Sequence, residues 1–152
     1  MKIDTGLGGA SLSDIGARAR ELEELGYDGL NTAETSHDPF LPLSVAAEHT
    51  TRVQLGTAIA VAFARSPMTT ASTAWDLNLY SGGRMSLGLG SQIQPHITKR
   101  FSMPWSHPAA RMREFVGAMR AIWSSWQDGD KLDFRGDFYT HTLMTPFFNP
   151  GP

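Results

Sequence analysis

The sequence has 152 residues, 41% hydrophobic and 18% charged, which is enough apolar material for the core of one domain. Its 13 basic and 15 acidic residues are scattered for a formal charge of -2, so no run forms an electrostatic footprint for nucleic acid or an anionic membrane surface. The absence of cysteine excludes disulfides, thiolate catalysis and Cys-ligated metal. The longest apolar-plus-glycine stretch, Leu55 to Ala64, is half of what a bilayer span needs, and the chain opens as a strand rather than a signal peptide, which predicts a cytoplasmic protein.

In chain order, Lys2 to Thr5 reads as a short strand, and Ser11-x-x-Asp14 as a capping box whose serine oxygen satisfies a first-turn amide. Leu12, Ile15, Ala19, Leu22 and Leu25 recur at helical spacing and predict a buried stripe, stopped by Gly26. Gly29 to Thr32 is a second strand, followed by a polar, turn-rich loop from Ala33 to Phe40 and a helix that Pro42 opens and His49 closes. Val53 begins a third strand, nearly continuous in apolar or small residues to Val61.

A third helix is predicted over about 69–80, with Ala71, Ala74, Trp75 and Leu79 facing the sheet and Gly82-Gly83 ending it. The fourth strand runs into the glycine-rich turn Gly88-Leu89-Gly90-Ser91. The connection Gln92 to His107 is too long for a minimal turn and is a candidate functional loop. Met112, Phe115, Met119, Ile122 and Trp126 alternate steps of three and four and predict a strong helix after His107-Pro108. Leu132, Phe134 and Phe138 suggest a hairpin around Arg135-Gly136-Asp137.

Strands beginning near residues 2, 29, 53 and 84, each followed by a helix, make an α/β chain with parallel neighbours joined by right-handed crossovers. Continuous apolar strands predict a sheet covered on both faces. A (β/α)8 TIM barrel needs eight such units and about 250 residues. The pattern therefore reads as the N-terminal half of one, spanning 1–152, with the C-terminal half missing and a loop at Phe147 to Pro152. An open half leaves two unpaired edges and an uncovered apolar face, which predicts self-association or a homo-oligomer. The alternative is a small doubly wound sheet, which requires the strand order to reverse.

Three segments carry a family resemblance: Leu55-Gly56-Thr57-Ala58-Ile59, Arg65-x-Pro67, and Gly82-Gly83-Arg84-x-Ser86-Leu87-Gly88-Leu89-Gly90. Followed by His107-Pro108, Arg111, Glu114 and Phe134-x-Gly136-x-Phe138-Tyr139, in this order and spacing, they resemble the luciferase-like monooxygenase superfamily of TIM barrels. The resemblance is strongest to the branch that uses the deazaflavin coenzyme F420. It implies an oxidoreductase that transfers a hydride between a small organic substrate and C5 of the deazaflavin. The cofactor supplies the redox chemistry and the protein supplies position and electrostatics. One alternative is an FMN-dependent monooxygenase of the same superfamily. Another is a catalytically silent half-barrel fragment or association module, and the isolated chain is expected to be inactive.

Barrel chemistry lies where strands end, here at Gly6, Ala33 to Asp38, Ala58 to Arg65 and Gly90 to His96. The resemblance implies a bulge with a non-proline cis peptide bond at Ala58-Ile59, backing the coenzyme ring beside Thr57. Where many relatives carry Asp-His after strand two, this chain has Ala33-Glu34, so Glu34 stands in the place of the working histidine as an acid/base group or substrate anchor. His37 lies on the same loop, and Asp38-Pro39 reads as a turn opening. Gly90, Ser91, Gln92 and His96 are expected to line the mouth at the coenzyme. Arg65 is either a partner of the anionic coenzyme or an exposed arginine before proline. His49, His107 and His141 read as helix-end or surface residues, and the five histidines lack zinc spacing, so no metal is assigned.

Overall fold

The computed structural model describes all 152 residues, which form two compact units: 1–61 with 73–90, and 62–72 with 91–152. In the first unit, β1 (Asp4–Gly6), β2 (Gly29–Thr32), β3 (Gln54–Val61) and β4 (Met85–Gly90) pair in sequence order. Every pairing is parallel. This is the strand order of a partial (β/α)8 barrel, and the absence of any reversal rules out the doubly wound alternative. A register row runs across all the strands, Gly6 opposite Asn31, Asn31 opposite Gly56, and Gly56 opposite Ser86.

Alternation along each strand divides the sheet into two unlike faces. Leu30 and Leu55 are buried with Ile15, Ala19 and Leu22 of α1 (Leu12–Glu24), Leu43, Ala46 and Ala47 of α2 (Leu41–His49), and Leu77 of α3 (Pro67–Tyr80). Met85, Leu87 and Leu89 pack against the same cluster. The opposite face carries Asp4, Gly6, Asn31, Gly56 and Ser86. A Cβ on Gly29 would lie 2.5 Å from the Asp4 carboxylate, and one on Gly56 would lie 2.6 Å from Asn31 Oδ1. The expectations of apolar cover on both faces and of an uncovered apolar face are thus corrected. The strands look continuously apolar because small residues take the polar side's positions.

Three details of the helices differ from the sequence reading. In α1 the buried stripe is Ile15, Gly16, Ala19 and Leu22, whereas Leu12 and Leu25, at the helix's two ends, are 49% and 68% exposed. Gly16 belongs to the stripe because the His49 ring occupies the place of its side chain, 2.8 Å from an ideal Cβ. The Ser11 hydroxyl donates to the Asp14 carboxylate at 2.6 Å and makes no cap to the backbone. A side-chain cap forms instead at α3, where Ser66 Oγ accepts the Thr69 N–H at 3.1 Å. With Pro67 as its first residue, α3 begins two residues before the expected start. Its buried positions in the first unit are Ala74 and Leu77, and Leu79 is 57% exposed.

The second unit is built on α4 (Pro108–Gln127), whose Phe115, Met119, Ile122 and Trp126 are buried as the periodicity requires. The Trp123 indole N–H donates to the Ala71 carbonyl at 3.2 Å. The 92–107 connection contains a π-helical turn, His96–Arg100, anchored by buried Ile97. The hairpin consists of β5 (Phe134–Arg135) and β6 (Thr140–His141), antiparallel, with Phe138 in the turn rather than in a strand. No helix is long and apolar enough to cross a membrane.

Candidate active site

The decisive local feature is a break in the β3–β4 ladder. Thr57 pairs with Leu87 and Ala60 with Leu89, so Ala58 and Ile59 together oppose Gly88. This is a β-bulge. Alternation is suspended there: Thr57 and Ala60 are buried, while Ala58 and Ile59 are both exposed. The Ala58-Ile59 peptide bond is cis, as the resemblance implies.

Both flanks of the bulge are held. Towards β4, Thr57 Oγ1 donates to the Gly88 carbonyl at 2.7 Å and accepts the Gly88 N–H at 3.0 Å. Only glycine fits at position 88, since a Cβ there would stand 2.1 Å from the Thr57 carbonyl oxygen. Gly90 leaves room for the Ile59 side chain, whose Cδ1 would lie 2.6 Å from an added Cβ. Towards β2, the Glu34 N–H donates to the Ile59 carbonyl at 3.0 Å and Glu34 Oε2 accepts the Val61 N–H at 2.7 Å.

A cavity of about 370 Å³ opens beside the bulge, lined by Asp4, Gly6, Gly8, Asn31, Thr32, Ala33 and Ala58 among others. Thr32 turns its hydroxyl away to the Pro39 carbonyl at 2.7 Å, fixing the 33–40 loop. Asp38 caps the N–H groups of Phe40 and Leu41 at 2.8 and 3.2 Å, the structural turn expected of Asp38-Pro39. His37 is exposed on that loop. Asp4 and Asn31 were not singled out from the sequence as cavity residues. Their signal was a polar residue at alternate strand positions opposite the apolar core.

The first unit thus brings together Glu34, Thr57, Ala58, Ile59 and Gly90. Ser91, Gln92 and His96 belong to the second unit. There Ser91 Oγ donates to the Gln92 carbonyl at 3.1 Å, and Gln92 Oε1 accepts the Ile93 N–H at 3.0 Å. His96 is exposed at the start of the π-helical turn.

The luciferase-like monooxygenase family profile matches residues 2–152. The chain belongs to that family. It is 69% identical over 131 residues to the uncharacterized protein Rv1360 of Mycobacterium tuberculosis, covering 86% of this chain and 38% of that protein. It is 35% identical over 103 residues to the putative coenzyme F420-dependent oxidoreductase Rv3520c of the same organism, covering 67% of this chain and 30% of that one. The crystal structure of monooxygenase RslO1 from Streptomyces bottropensis matches with a TM-score of 0.77 at 25% identity, covering 100% of this chain and 52% of that one. This luciferase-like chain therefore spans between 30% and 52% of the length of these relatives.

Several residues that carried the resemblance have architectural positions in the luciferase-like chain. The Arg84 guanidinium donates to Thr50 Oγ1 and the Val53 carbonyl, both at 2.9 Å, and also reaches the carbonyls of Ser81, Ala47 and Thr50. It ties the start of β4 to the end of α2. Arg111 is buried, lies over the Phe63 ring at 4.7 Å, and donates to Tyr139 Oη and the Pro104 carbonyl. Glu114 accepts the N–H groups of Asp137, Phe138 and Tyr139, and a Cβ on Gly136 would collide with its carboxylate.

Proposed function

We propose that this luciferase-like chain carries the coenzyme-facing part of an F420-dependent oxidoreductase acting on a small organic substrate. The reading is carried by one observation: Ala58 and Ile59 project together from the bulge beside a cavity walled by Gly6, Gly8 and Ala33. That surface fits a flat ring, because the methyl group of Ala58 and the bare backbone of the two glycines allow close approach. When bound, the deazaflavin supplies the hydride-accepting or hydride-donating carbon. Ala58 and Ile59 back the ring, Gly90 gives Ile59 its space, and Thr57 holds the strand beneath them. The 35% identity to a putative F420-dependent oxidoreductase supports deazaflavin as the coenzyme.

Titrating the purified chain with F420 and, separately, with FMN tests the proposal through coenzyme fluorescence. F420 is expected to bind more tightly, and Ala58→Leu is expected to weaken it by about tenfold, the scale of one displaced buried contact. Preference for FMN would favour the monooxygenase reading, which the 25% identity to RslO1 supports. Binding of neither would favour a silent association module.

A further inference from the structure

We infer that Glu34 is a positioning residue whose carboxylate sets the bulge by hydrogen bonding, and not the group that moves a proton. The ladder between β2 and β3 ends where Thr32 pairs with Thr57. Beyond it, the backbone groups of β3 on that side still require partners, because a buried N–H or C=O left unpaired costs as much as a lost hydrogen bond. β2 has run out, and Glu34 replaces it with one main-chain and one side-chain group. Its N–H takes the Ile59 carbonyl at 3.0 Å and its Oε2 takes the Val61 N–H at 2.7 Å.

The two contacts fall on Ile59 and Val61, at the far end of the bulge. Thr57 holds the near end through its reciprocal bonds with Gly88. Glu34 therefore does at the β2 side what Thr57 does at the β4 side: between them they fix the two exposed residues that present the ring-facing surface. This task needs an oxygen acceptor at that distance and no exchangeable proton. Glutamine can perform it and alanine cannot.

The effect on coenzyme binding rests on the F420 reading, but the brace itself does not. The test therefore follows two signals, amide hydrogen exchange by NMR and F420 titration, in the wild-type chain and in Glu34→Ala and Glu34→Gln. The Leu55 amide, bonded to the Arg84 carbonyl at 2.8 Å within the first unit, reports whether each variant is folded. In Glu34→Ala, exchange at Val61 should accelerate about tenfold with Leu55 unchanged, and the F420 dissociation constant should rise about tenfold. Glu34→Gln should restore both to within about twofold of wild type. Unchanged exchange at Val61 in Glu34→Ala would overturn the inference, as would a Gln variant that behaves like the Ala variant. Failure of the wild-type chain to bind F420 would sink the coenzyme reading alone, leaving Val61 exchange to decide the brace.

Discussion

At the scale of single residues, glycines report how closely the backbone is packed at the bulge. Gly88→Ala would force a methyl group to 2.1 Å from the Thr57 carbonyl, a backbone atom that cannot move without undoing the bulge. The expected loss is about 3 kcal/mol by urea denaturation, at the upper end for an overpacked site. Gly8→Ala meets nothing within 4 Å and should change stability by no more than about 0.5 kcal/mol. Thr57→Val should cost about 2 kcal/mol, because it strands the N–H and carbonyl of Gly88, and Thr57→Ser should recover most of that. His141 supplies a pH-dependent counterpart. Burial depresses its pKa below the ordinary imidazole value, and its Nε2 has no hydrogen-bond partner. The unfolded chain therefore protonates more readily, so this contribution to stability is complete above about pH 6.5 and is lost as the pH falls from there towards the depressed folded value. Melting temperatures of His141→Gln should decline less steeply than those of wild type between about pH 7 and pH 5.

At the scale of elements, two glutamates on helices secure loops in the same way, each accepting three consecutive backbone N–H groups. Glu23 of α1 takes those of Thr51, Arg52 and Val53, and Glu114 of α4 takes those of residues 137 to 139. Burial raises the Glu23 pKa, but the N–H groups of Val53, Arg52 and Thr51, with the Arg52 charge, outweigh it and hold the carboxyl below its ordinary value. Its stabilisation is present above the unfolded carboxyl pKa and disappears as pH falls through the lower folded one. Glu23→Gln should accordingly lower the melting temperature at neutral pH and converge with wild type in acid. These clamps were not legible as such in the sequence. Glu114 stood out only as part of a pattern, and Glu23 not at all, because each acts on a segment more than 20 residues away that only the fold returns to it. The α4 stripe was legible because Phe115, Met119, Ile122 and Trp126 repeat the helix's own period. Leu12 and Leu25 misled for the converse reason: periodicity reports a face, while burial at helix ends depends on what lies beyond them.

At the scale of the whole molecule, the order of four parallel strands was legible from the spacing of strand and helix patterns, and the family from the motifs placed on them. The division of the sheet into an apolar face and a small, polar one was hidden. Glycine and alanine satisfy an apolar-run reading as well as leucine does, and only the register shows that Gly56 makes room for Asn31. The site was legible at Ala58-Ile59 through the resemblance, whereas the bracing contacts of Thr57 and Glu34 required coordinates.

The bulge also changes the parity of β3. Up to Thr57 the odd positions, Leu55 and Thr57, look towards the helices, and after the two unpaired residues the even position Ala60 takes over that duty. A substitution scan along 54–61 should therefore show intolerance to charge with a two-residue rhythm that skips a beat at 58–59, measurable as the yield of folded protein for each Asp variant. Deleting a single residue at that point would leave the strand's length nearly intact and yet turn everything after it inside out. Insertions and deletions in this segment should consequently be tolerated far less than point changes at Ala58 or Ile59 themselves, making the bulge a fixed punctuation mark against which any relative's sequence must be aligned.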